Sequence, residues 1–131
     1  MSNLLNYLEF LMYLKRLNKS YASILLEFLK LQKHNVILIN KEAKALITKE
    51  FDISEVRVNQ AITDFVKENI LIKQQNGIYT ANLEILKFKN VDNISVIDVN
   101  VSFTNDAISV TTNVKYNKKE QNDKQLSLLD K

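Results

Sequence analysis

The stretch SEVRVNQAITDFVKENILI, residues 54–72, carries two kinds of information on one helix. Val58, Ala61, Ile62 and Phe65 fall on one side when successive residues are set about 100° apart. Opposite them stand Val56, Gln60, Thr63 and Lys67, with Arg57 and Asn59 on the flanks. The chain has 18 Lys and Arg among 131 residues, yet this outer face is mostly amide, hydroxyl and methyl. Ser54 stands where an N-cap is needed, and Asn69 where a helix ends on a left-handed residue. The spacing predicts a helix over 54–68.

Upstream, KEAKALITKEF (41–51) repeats apolar residues at helical spacing, with Ala43, Leu46 and Ile47 expected inward, Phe51 a turn later and Asn40 as cap. VILI (36–39) is a β-branched run short enough for one small strand. Downstream, ILIK and IYTANLEILKF are joined by QQNG. An Asn-Gly pair between strand-like runs is the strongest short-range hairpin signal, and Gly77 is the only glycine in the chain. Helix, short strand, helix, helix and hairpin is the order of a winged helix-turn-helix.

The flanks add to that unit. Residues 3–17 form a helix with one apolar stripe of Leu4, Leu8 and Leu11 and another of Tyr7, Phe10, Leu14 and Leu17. A helix apolar on two stripes is covered on two sides, one of them assignable to a second subunit. Ser20 is the expected cap of the next helix, YASILLEFLKLQK. From 94 to 116 the period changes to two. Ile97, Val99, Val101 and Phe103, then Ile108, Val110, Val114 and Tyr116, alternate with polar residues around a TND turn. This is a second β-hairpin with one apolar face, which needs cover because an isolated ribbon is marginal in water. Residues 118–131 read as a polar, disordered tail that ends in an apolar peptide.

Composition narrows the function classes. There is no cysteine, which excludes disulfides and thiolate chemistry, and His34 is the only histidine. The expected place for His34 is the end of a helix, where a cation complements the dipole. No acid, base, nucleophile and ligand set converges, so no enzyme activity, metal or cofactor is expected. No apolar run approaches the ~20 residues of a membrane span, and the N-terminus lacks the pattern of a secretion signal. A cytoplasmic protein without membrane contact is expected. The net charge is +3, with the basic excess in residues 1–35, where five Lys and Arg face two acids.

The outer face of the 54–68 helix suits base edges. Asn59 and Gln60 can bond bidentately to adenine, Arg57 to guanine, and Val56 or the Thr63 methyl can touch a thymine methyl. Glu55 and Asp64 lie at its margins; Glu55 suits the positive end of the helix dipole. Lys41, Lys44 and Lys49, then Ser54, Lys67, Lys73 and Gln75, are the candidate phosphate contacts, with Gln74 beside them and Lys15, Arg16 and Lys19 as a flanking patch. The competing reading is an ordinary solvated helix face.

LITKEFDISEVRVNQAITDFVKENILI resembles the winged-helix pattern of bacterial regulators and initiators, with Ile53-Ser54 at the turn and ILIKQQNGIYTAN as the wing. Asp52 and Asn69 stand where such families usually carry glycine. With LNKSYASILLEFLK and VILINKEAK upstream, residues 14–86 look most like plasmid replication proteins of the RepL type. The resemblance implies sequence-specific binding of double-stranded DNA in replication initiation of a plasmid or phage-like element, and a homodimer on two half-sites. QLSLL, with Gln125, Leu126, Ser127, Leu128 and Leu129, resembles the peptide by which bacterial replication and repair proteins dock on the DNA polymerase sliding clamp. Leu129 replaces the final aromatic, and the competing reading is a helical end packed on its own domain.

The expected architecture is α+β, a winged helix-turn-helix at 20–89. An N-terminal helix for dimerisation (1–19), an additional β-hairpin (90–117) and the tail with its QLSLL peptide (118–131) complete it. A transcriptional repressor of the same fold and a protein-interaction adaptor without DNA binding are the alternatives.

Overall fold

The computed structural model describes residues 2–83, 85, 86 and 94–116; QLSLL lies outside them. The architecture is α+β, four helices with antiparallel sheets. In chain order they are α1 (Ser2–Leu14), α2 (Tyr21–Lys30), β1 (Ile37–Leu38), α3 (Lys41–Phe51), α4 (Glu55–Lys67), β2 (Leu71–Gln75), β3 (Ile78–Ala81), β4 (Ile94–Phe103) and β5 (Ile108–Tyr116). No described helix is long and apolar enough to cross a membrane.

One core joins the helices to the first sheet. Leu4, Leu8 and Met12 of α1 meet Ile24, Leu25 and Phe28 of α2, and the cluster continues through Val58 and Phe65 to Ile37, Ile70 and Leu71. The sheet has the order β1-β3-β2, with Ile37 opposite Tyr79 and Leu71 opposite Ala81. Gly77 supplies the one glycine conformation of its turn, φ +78°, and its carbonyl accepts the Ile39 amide at 2.9 Å. A Cβ there would meet Ile39 O at an ordinary 3.6 Å, so backbone conformation and not space calls for glycine.

Helix ends follow short-range chemistry, with several departures from expectation. Ser20 does not cap α2. Its backbone is already helical (φ −63°, ψ −19°) and its side chain makes no cap bond. Asn18 takes that role, its Oδ1 accepting from Ser20 N and Oγ, both at 2.9 Å, so the turn closes two residues earlier. His34 is not at a helix end either. It follows α2 by four residues, and with Asn35 it forms a tight turn at φ +53° and +66°, closed by reciprocal bonds between Lys33 and Val36. Two successive positive φ angles mark a type I′ turn.

α1 stops at Leu14, short of the expected Leu17, because Arg16 turns left-handed at φ +58°. Leu17 N then bonds Met12 O at 2.8 Å and Arg16 N bonds Tyr13 O at 3.1 Å, a terminal motif that usually carries glycine. Arginine has no local side-chain bond to offset the left-handed cost of about 1–2 kcal/mol. Arg16→Gly is therefore expected to stabilise the fold by roughly 0.5–1 kcal/mol after the larger unfolded-state entropy of glycine. A rise in the urea midpoint at constant m checks this.

The second stripe of α1 meets the ribbon at Tyr7, which is buried, while Phe10 and Leu14 stay half-buried and line grooves beside it. β4 and β5 pair from Ile94 with Tyr116 to Phe103 with Ile108, and their apolar face lies on α1. Tyr7 fastens the contact: its hydroxyl donates to Ile85 O at 2.8 Å and lies 3.3 Å from Thr112 Oγ1, the one buried polar side chain in the described core. The ribbon rises from α1 on both sides of Tyr7. A groove of about 510 Å³ opens under β4 and one of about 240 Å³ under β5. Phe103 shares the apolar face but is 75% exposed.

Candidate nucleic-acid interface

α3 and α4 form a capped pair. Asn40 Oδ1 accepts Ala43 N at 2.8 Å to start α3, and Ser54 Oγ accepts Arg57 N at 3.2 Å to start α4. Between them Asp52 takes φ +53°, and its amide and that of Ile53 both return to Thr48 O. α4 ends on Asn69 at φ +60°, with Ile70 N bonded to Phe65 O at 2.8 Å and Asn69 N to Val66 O at 3.1 Å. Asp52 and Asn69 are both left-handed, as aspartate and asparagine tolerate.

This framework orients α4. Val58, Ala61, Ile62 and Phe65 are buried, the side the sequence spacing assigned inward. Val56, Arg57, Asn59, Gln60, Thr63 and Lys67 are all exposed, so one solvent-facing surface gathers the expected base-reading residues. Val56 is 73% exposed, so its methyl groups are open to an outside partner. The Thr63 hydroxyl donates to Asn59 O at 3.0 Å, which leaves its methyl and its acceptor lone pairs for an outside partner.

The two marginal acids part company. Glu55 is exposed in the first turn of α4. Asp64 is half-buried and accepts the Tyr21 hydroxyl at 3.1 Å, which ties its carboxylate to α2. Tyr21 also sets its ring edge-on to Phe65, with centroids 5.7 Å apart. Burial, then the Asp64 carboxylate, push the Tyr21 phenol above its ordinary value, against a smaller opposite pull from Arg57. Burial likewise raises Tyr7. A phenol that ionises later in the folded than in the unfolded chain contributes stability fully below the unfolded value near pH 10 and loses it as pH rises. Urea midpoints are expected to hold to about pH 9 and fall above about pH 10, less steeply in Tyr21→Phe.

The basic residues surround α4 in sequence and make no ion pair among the described residues. Lys41, Lys49, Lys67, Lys73 and Gln75 are exposed, Ser54 is exposed, and Lys44 is half-buried. Among the described residues the ion pairs are Lys30–Glu27 at 3.3 Å and Lys115–Asp98 at 3.9 Å. Gln74 is held by Thr80, its Nε2 donating to Oγ1 at 3.2 Å. In the flanking patch Arg16 and Lys19 are exposed, while Lys15 lines the groove under β5.

Two features of this surface were not legible in the chain. Arg57 Nη2 reaches Ser20 Oγ at 3.4 Å, so the α1–α2 corner sits beside the start of α4. Leu46, expected inward, is 66% exposed. α3 buries only Ala43 and Ile47, and Leu46 lies about 100° round the helix from Ile47. Nothing in the sequence separated it from its neighbours, since its i+3 spacing from Ala43 fits an inward stripe equally well. No family model, no characterised protein and no solved structure matches the chain.

Proposed function

We propose that the chain is a winged helix-turn-helix protein that binds duplex DNA, with α4 in the major groove and the β2–β3 hairpin as wing. The observation that carries this reading is the outer face of α4. Val56, Asn59, Gln60 and Thr63 stand exposed together on a helix whose opposite side is buried. Such side chains match the donor, acceptor and methyl pattern of the major groove. Unpaired lysines on α3 and β2, before and after α4 in the chain, supply phosphate contacts. Replication initiation for a plasmid or phage-like element is the role that the RepL-type resemblance favours. Clamp docking by Gln125–Leu129 fits the same role.

Selection of bound fragments from random duplex DNA tests this directly. An enriched sequence is expected, with an affinity that falls linearly on a plot of log K against log salt. A flat salt plot with no enriched sequence would overturn DNA binding and leave an interaction module. Enrichment of a site found at the element's own promoter and not at its origin would assign repression in place of initiation.

A further inference from the structure

The ribbon leaves one edge of β4 without a neighbouring strand among the described residues. Ten residues make that edge about 33 Å long. Solvent-facing edges are usually blunted by lysine, proline or bulges. Here the register shift is confined to the first residues, Ile94 to Val96, and pairing is regular from Ile97 to Phe103. The one charge in β4 is Asp98, already paired in its own chain with Lys115. Beneath the open edge runs the larger groove, lined by Tyr7 and Phe10 of α1 and by Ile97, Val99 and Val101 of β4. An apolar cleft beside an open strand edge is the space that another strand's inward side chains would fill.

We propose that a second copy of this chain fills it, β4 pairing antiparallel with β4 about a two-fold axis at Asn100. The sheet then has four strands, β5-β4-β4-β5, over two α1 helices. Charge narrows the register. An axis at Asp98 would set two carboxylates directly opposite, which is unfavourable. An axis at Asn100 sets Asp98 opposite Ser102 of the second copy, and on the α1 side Val99 opposite Val101 and Ile97 opposite Phe103. Phe103, 75% exposed in the single chain, is thereby brought over the other copy's groove. The contact is isologous, so each chain offers the same edge and receives the same cover. The inference does not rest on DNA binding and is measured without DNA.

The absence of cysteine makes the test clean. Asn100→Cys places single thiols at the axis, with Cα atoms about 4.5–5.5 Å apart, inside disulfide range. Thr111→Cys is the control: Thr111 pairs with Asn100 across the ribbon, is also exposed, and would lie three strand spacings, about 14 Å, from its copy. The full chain is expected to sediment as a dimer, and Asn100→Cys to cross-link at least about tenfold faster than Thr111→Cys under mild oxidation. A monomer, or a dimer in which the two variants cross-link equally, would overturn the proposal. A monomer whose β4 amides lose exchange protection on removal of residues 117–131 would assign the edge to the chain's own tail.

Discussion

Asn59→Ala and Gln60→Ala are each expected to weaken binding to the selected DNA site by roughly ten- to a hundredfold and to leave binding to random duplex nearly unchanged. A bidentate amide–adenine contact contributes about 1–3 kcal/mol of discrimination, while non-specific affinity comes from phosphates. Both side chains are exposed, and the bond at this site runs from Thr63 to the Asn59 backbone carbonyl, which alanine retains. The fold is therefore expected to survive. Lys73→Ala is the contrast. Loss of one phosphate contact weakens all sequences together and lowers the salt slope by about one. Titrations of each variant on both duplexes at several salt concentrations separate the patterns. Equal loss on both duplexes for Asn59→Ala and Gln60→Ala would remove these amides from base reading.

Phe65→Ala is the largest expected loss of stability. Phe65 is fully buried, stacks edge-on against Tyr21, and sits in the terminal turn that hands α4 to β2. Removing a buried phenyl costs about 3–5 kcal/mol, the lost transfer energy plus the cavity left behind. Against a total stability of about 5–15 kcal/mol, that loss leaves a marginal protein. Urea unfolding should show a sharp fall in midpoint, whereas Val56→Ala on the same helix should stay within about 0.5 kcal/mol. A cost below about 1 kcal/mol for Phe65→Ala would mean that α4 does not pack on α2 as described.

The Val56 and Phe65 contrast also marks how far the sequence could be followed. The two sides of α4 were legible because helical periodicity is a local property with one strong solution over thirteen residues. The caps at Asn40 and Ser54, the left-handed Asn69 and the Asn76-Gly77 turn were legible for the same reason, each depending on atoms within a few residues. Ser20 failed as a cap because Asn18 competed for the same turn, and the sequence does not rank two neighbouring polar residues. Leu46 failed because a periodic pattern does not state how wide a stripe the neighbouring helix will cover.

The second stripe of α1 shows the division most plainly. That α1 is apolar on two sides, and that residues 94–116 alternate with one apolar face, is plain from residue spacing. Each half required cover, and each was satisfiable by a partner. The tertiary fold brings the two together at Tyr7, which reaches Ile85 and Thr112 across 78 and 105 residues of chain and leaves Phe10 beside an open groove. It also decided that Asp64 turns to Tyr21 and that Ser20 meets Arg57. Such contacts depend on which distant faces meet, and burial of apolar area is non-directional, so a pattern of apolar residues demands a partner without choosing one.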